Sequence, residues 1–260
     1  MNHIVVLNLW QFGIVYLLLL IVLAVFKRCK INQSKFLLIG SLRMTVQLVL
    51  AGLVLTYIFE NPHPLFVLLY LAAMIAMSIH TALSRNREIN KRFRAIVACS
   101  LGFTGFFMIL FFVLGVVGVN FWNPQYTIPI SGMIMGNAMT GVSLGLKTFQ
   151  ENVKTQKAQI EALMNAGATP KSILLPFVNK GVETALLPTI NSMLGMGIIS
   201  LPGMMTGQIL SGTLPTTAIL YQIAIMITIT TVVCLAVFFS LFFGYRTLYN
   251  KKNQISLDLL

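Results

Sequence analysis

Two stretches of this 260-residue chain carry polar side chains inside otherwise apolar runs. In ISGMIMGNAMTGVSLGL, Ser131, Asn137, Thr140 and Ser143 stand among glycines and methionines. In LPTINSMLGMGIISLPGMMTGQILSG, Thr189, Asn191, Ser192, Ser200, Thr206 and Gln208 flank Pro202. Amides and hydroxyls can solvate a passing solute, but with no partnered base they do not abstract protons or attack carbonyls. The chain has no paired carboxylates, no HExxH and no Ser/His arrangement, so the chemistry on offer is passage and not catalysis. Pro202 removes a backbone hydrogen bond, which predicts a kink or break near Leu201-Pro202-Gly203. Broken helices are tolerated in a membrane where they are buried in protein or line a cavity. The competing reading is close helix packing, supported by the GxxxG pairs Gly132/Gly136 and Gly141/Gly145. Proline together with Thr206 and Gln208 tilts the balance towards a pathway lined by Asn137, Thr140, Asn191, Pro202, Met204, Met205, Thr206 and Gln208.

Arg43 and Gln47 add a charged and a polar group one turn apart on one face of an earlier apolar run. Arg43 can snorkel to the membrane surface or face the bundle interior, and both readings stand. Met133, Met135, Met139, Met193, Met196, Met204 and Met205 cluster in the two polar stretches. Thioethers ligate soft metals such as Cu(I), but without Cys or His at matching depth these methionines read as apolar filler, and no metal site is assigned. Cys29, Cys99 and Cys234 are dispersed and suit packing. No carboxylate falls inside an apolar run, which disfavours an acidic proton or sodium relay. The string nearest a phosphate-binding loop, GVSLGLKT at Gly141, lacks the GxxxxGK[ST] spacing, so no nucleotide or other cofactor is expected on this chain.

Between the two stretches, residues 147–181 carry Lys147, Glu151, Lys154, Lys157, Glu161, Lys171 and Lys180. An ionised side chain costs about 2.5–3.5 kcal/mol at a bilayer centre, so this segment must lie outside the membrane. Phe149, Val153, Ile160, Leu163 and Met164 recur at spacings of three, four and seven, as in an amphipathic helix. Gly167 offers a helix C-cap, and Thr169-Pro170 an N-cap followed by proline at the first helical position. The expectation is helix, tight elbow, helix, displayed to a partner. A helix lying on the membrane surface competes for Ser172 to Leu186.

The elements that must position these groups follow from composition. The chain is 57% hydrophobic and 9% charged, with mean hydropathy +0.86, the balance of an all-α polytopic membrane protein in a single transmembrane domain, residues 1–260. Seven spans are expected, at about 4–26, 36–59, 65–83, 95–119, 127–146, 187–210 and 216–244. The net charge of +12 sits in clusters at the ends of apolar runs and not in an aromatic-interleaved groove, which excludes nucleic acid as the partner and makes the membrane the medium. With the N-terminus outside and the C-terminus cytoplasmic, all 18 Lys and Arg fall on the cytoplasmic side or, for Arg43, in the cytoplasmic half of span two.

Glu161, Ala162 and Gly167 reproduce the opening E-A-A-x-x-x-G of the coupling motif of ABC importer permeases, with Leu163 for the second alanine and Leu175-Pro176 echoing its closing pair. Together with LPGMMTGQILSG, ISGMIMGNAMTGVSLGL and RMTVQLVLAG, the chain resembles the FetB-type permeases essentially end to end. That resemblance implies a bacterial inner-membrane permease, itself no enzyme, that pairs with a second copy and with a separate ATP-binding cassette subunit carrying ATP and Mg. It implies Glu161, Ala162, Gly167, Ala168, Thr169 and Pro170 as the ATPase-coupling residues. Iron export and resistance to oxidative stress are implied for bacterial members. A lipid or nucleotide-sugar cargo is the alternative within transport, and a scaffold that recruits a cytoplasmic protein is the alternative outside it.

Overall fold

The computed structural model describes residues 8–86, 88–250 and 254–255. Nine α-helices follow in order among them: α1 Leu9–Arg28, α2 Ser34–Glu60, α3 Pro64–Arg85, α4 Lys91–Leu110, α5 Pro124–Thr155, α6 Lys157–Asn165, α7 Pro170–Gly195, α8 Gly203–Leu210 and α9 Pro215–Gly244. A π-helical segment, Phe111–Val117, extends α4, and a 3₁₀ turn, Tyr245–Leu248, extends α9. The helix starts are written into the sequence. His63, Asn123 and Thr169 each accept a backbone N–H of the first turn and are each followed by proline, which has no N–H to leave unsatisfied there. Asn90 does the same for α4, accepting from the Phe93 N–H at 2.7 Å.

Among the described residues, four segments are long and apolar enough to cross a membrane: Ser34–Glu60, Pro64–Arg85, Lys91–Val117 and Pro215–Leu248. The two helices that carry the polar stretches, α5 and α7, pack directly on one another and on α9. α5 packs on α3, α4, α7 and α9, and α7 packs on α5 and α9. At the α5–α7 crossing the backbones touch. A Cβ on Gly145 would lie 3.3 Å from the Gly181 carbonyl oxygen, and one on Gly181 would lie 3.0 Å from that of Gly145. Val233 and Val237 of α9 fill the space left by the missing side chains of Gly141 and Gly145. The second GxxxG is thus a packing device. Above Gly136 of the first pair nothing lies within 4 Å of a would-be Cβ.

The connections gather at two ends. Phe59 and Pro62 line one crevice with Asn120, Trp122 and Gln125. At the other end Ser84, Arg85, Asn86 and Glu88 face Lys147, Gln150, Glu151 and Lys154. There Lys154 pairs with Glu88, and Asn90 bonds to Thr247 beyond α9 at 3.1 Å. α1 and α2 form a peripheral pair joined through the Tyr16 and Thr45 hydroxyls, and most of their apolar surface is exposed.

The sixth expected span, 187–210, is broken, as Pro202 predicts, but over a longer stretch: α7 ends at Gly195, residues 196–202 turn, and a short α8 follows. α7 also begins at the elbow itself and runs through Ser172–Leu186 without interruption. It buries Ile173, Leu174, Phe177, Val178, Gly181 and Ala185 against the bundle, so this segment is no separate surface helix. The π turn after α4, closed by Gly118 with φ +72°, carries no signal that was read from the sequence. The first residues of the first expected span, 4–7, lie outside the described residues.

Candidate functional site: a cavity joined to an exposed elbow

One face of each of three helices encloses a cavity of about 410 Å³. α5 contributes Met133, Asn137, Thr140, Gly141 and Leu144; α7 contributes Ala185, Pro188, Thr189 and Ser192; α9 contributes Gln222, Ile225, Met226 and Ile229. Each set is spaced by three and four, so each is a single helical stripe. The break between α7 and α8 closes the end with Met196, Pro202, Gly203 and Met204. Proline and glycine make that end possible. Gly197 adopts φ +80°, which L side chains rarely take, and its N–H bonds to the Ser200 carbonyl at 3.0 Å. Pro202 serves as N-cap of α8 with extended backbone.

Hydrogen bonding fixes what the cavity presents. Asn137 donates from Nδ2 to the Met133 carbonyl at 2.8 Å, and Thr140 donates from Oγ1 to the Gly136 carbonyl at 2.9 Å. Gln222 donates from Nε2 to the Met196 sulfur at 3.8 Å, while its Oε1 is buried and has no partner. Each of these three side chains thus gives one proton to the protein, and the two amides each keep a second N–H. None of the lining residues is charged.

Of the residues expected to line a pathway, Asn137, Thr140, Pro202 and Met204 meet in this cavity. Asn191 does not. It lies two residues beyond Thr189, about 200° around α7 at about 100° per residue, and is exposed. Met205 is buried beside the cavity, and Thr206 donates to the Pro202 carbonyl at 3.1 Å. Gln208 lies near the end of α8 with a buried, unpartnered Oε1. Arg43 and Gln47 are exposed on α2, among none of the cavity's lining residues. Sequence reading missed Gln222 and Met226, which sit in a run that looks uniformly apolar. Their signal is the spacing 222, 225, 226, 229, legible only once a polar stripe is sought.

The elbow lies on the same helix as part of the cavity wall. α6 ends in a Schellman turn: the Gly167 N–H bonds to the Met164 carbonyl and the Ala168 N–H to the Leu163 carbonyl, each at 3.0 Å, with Gly167 at φ +81°. Thr169 then caps α7, its Oγ1 accepting from the Ser172 N–H at 3.3 Å. Glu161, Ala162, Gly167 and Thr169 are exposed, Ala168 is half-buried, and Ile160 and Pro170 are buried, so the turn is anchored from beneath and free above. α7 runs unbroken from this turn to Pro188, Thr189 and Ser192 in the cavity wall.

Comparison with known proteins gives the family. A family model described as "Uncharacterised protein family (UPF0014)" matches residues 9–249. The chain is 30% identical over 251 residues to the "Probable iron export permease protein FetB" of Escherichia coli, covering 95% of each chain. It is 30% identical over 240 residues to the "UPF0014 membrane protein YjkA" of Bacillus subtilis, covering 91% of this chain and 93% of that one. It is also 34% identical over 184 residues to the "Protein ALUMINUM SENSITIVE 3" of Arabidopsis thaliana, covering 71% and 66%. No solved structure matches. With its long apolar helices and these relatives, the chain is a multi-pass membrane protein that belongs to the UPF0014 family, alongside FetB and YjkA.

Proposed function

We propose that this chain is the permease subunit of a two-component ABC transporter of the bacterial inner membrane. In this reading seven segments cross the bilayer, with the N-terminus outside and the C-terminus in the cytoplasm. Two copies pair with two ATP-binding subunits on separate chains, which supply ATP and Mg. The observation that carries the reading is the continuity of α7, one helix that runs through Pro176 and Pro188 from an exposed, capped elbow to the wall of a polar cavity. A partner gripping Glu161, Ala162 and the Gly167–Pro170 turn would move Pro188, Thr189 and Ser192 with it, and so change the cavity. The cargo proposed is a metal ion moved outward, iron being the one that the FetB name carries. Because no carboxylate, His or Cys lines the cavity, a lipid-linked or nucleotide-sugar cargo is the second reading.

The test is co-purification in mild detergent followed by an ATPase assay. Ala162 is exposed, so Ala162→Arg leaves the fold intact but obstructs the elbow; Gly167→Asp strains the turn, where a Cβ meets nothing within 4 Å. An ATP-binding subunit retained by the unmodified chain and lost with both variants is the expected result. Absence of ATPase with every bait would overturn the reading in favour of a scaffold.

A further inference from the structure

The metal question narrows when the cavity is examined as a set of donor atoms. Met133, Met196, Met204 and Met226 come from three separate stretches of sequence and line one space. Gln222 is 8% exposed, and its amide is oriented by chemistry: the Met196 sulfur is an acceptor, so the NH₂ end turns to it, at 3.8 Å, and Oε1 is buried without a partner. Asn137 and Thr140 each give one proton to their own helix, and the four sulfurs add lone pairs to a wall that otherwise carries amides and hydroxyls. Such a surface can take a cation through its sulfurs. The helix ends do not change this sign, since the C-terminus of α7 and the N-terminus of α8 meet at the break with opposite partial charges.

Charge and softness then select within the cations. The Born cost of dehydrating an ion rises with the square of its charge, and a wall with no ionised group has nothing to offset it for a divalent or trivalent ion. Thioethers bind poorly to hard ions and well to Cu(I). We propose that the cavity between α5, α7 and α9 is a thioether site for a soft monovalent cation, Cu(I), with Met133, Met196, Met204 and Met226 as the ligand pool. The inference rests on the cavity being a metal cargo route only for what the ion does there. Binding itself needs no ATP-binding subunit.

The experiment uses the full chain in detergent with Cys29, Cys99 and Cys234 replaced by serine, so that thiols do not compete. Cu(I) is titrated under reducing, anaerobic conditions against a chromophoric Cu(I) chelator, with Fe(II) and K⁺ in parallel. One Cu(I) per chain is expected, and Met196→Leu with Met204→Leu weakens it by about tenfold or more, the scale on which even outer-shell changes alter metal sites. Met44→Leu with Met77→Leu, exposed positions outside the cavity, leaves it unchanged. Methionine to leucine conserves volume, so folding is preserved. Independently of any variant, Ag(I) added to methyl-labelled protein shifts the methyl resonances of the four cavity methionines and not those of Met44 and Met77. No Cu(I) held against the chelator, equal affinity in the cavity variant, or tighter Fe(II) than Cu(I) would each overturn the site. If Cu(I) binding fails while an ATPase partner is captured, the permease reading stands and only the thioether site falls. Binding without any partner leaves the site standing and removes the pump.

Discussion

At the residue scale, the crossing of α5 and α7 is the least forgiving point in the molecule. A Cβ at Gly181 would sit 2.7 Å from Leu241 Cδ1, which a rotamer change can relieve, and 3.0 Å from the Gly145 carbonyl, which nothing can relieve but separation of the helices. Gly181→Ala is expected to destabilise the protein by about 1–3 kcal/mol, the usual scale of overpacking, read as a lowered thermal midpoint in detergent. Gly136→Ala, in the interior of α5 where a Cβ meets nothing, is expected to hold or slightly raise that midpoint, since alanine is favoured over glycine inside a helix by about 0.5–1 kcal/mol. Equal midpoints for the two variants would mean that the crossing is looser than its geometry. The ion pairs give no comparable leverage. Lys154–Glu88, Lys147–Glu151 and Lys180–Glu183 are all between exposed side chains, a class that contributes about 0–1 kcal/mol each.

At the scale of the element, the break between α7 and α8 is held by backbone conformation more than by contacts. Gly197 is at φ +80° with open space around it, so Gly197→Ala adds no clash and costs about 1–2 kcal/mol of left-handed strain at the turn alone. Cargo flux into vesicles carrying the assembled transporter is expected to fall while the thermal midpoint of the bundle shifts little. A variant with full flux and a lowered midpoint would make the break a structural joint only. Elements of this kind show what the sequence discloses. Pro202 announces a break because proline's effect is local, and Gly167 with Thr169-Pro170 announces the elbow because caps are local too. Residues 196–202 turn over a longer stretch than Pro202 alone implies, since Gly197 sets the other side. Which polar residues meet is a question of helix phase and of neighbours far along the chain. Thr189 and Ser192 share a stripe that excludes Asn191, and Gln222 joins them from α9 across more than thirty residues of sequence. No local rule leaves Arg43 exposed and away from the cavity.

At the scale of the whole molecule, the arrangement of loops at two ends constrains how the chain sits in a bilayer. The connections around 59–62 and 120–125 share one end; the α3–α4 connection, the charged extension of α5 and the turn after α9 share the other. α5 links the two ends with 32 residues, about 48 Å of helix, more than the roughly 30 Å hydrocarbon core. Lys91, Arg92, Lys147, Lys154 and Arg246 all fall at the second end, whereas Trp122 and Tyr126, side chains suited to the headgroup belt, mark the first. If the basic end faces the cytoplasm, a cysteine placed at exposed Asn120 in a serine-substituted background reacts with a membrane-impermeant thiol reagent in intact cells, and one at exposed Glu161 reacts only in inverted vesicles. Labelling of both from the same side would break the single crossing assigned to α5. The reverse pattern would keep that crossing but invert the protein, placing the elbow outside the cell, where no ATP-binding subunit could reach it, and would thereby remove the energy source from the proposed mechanism.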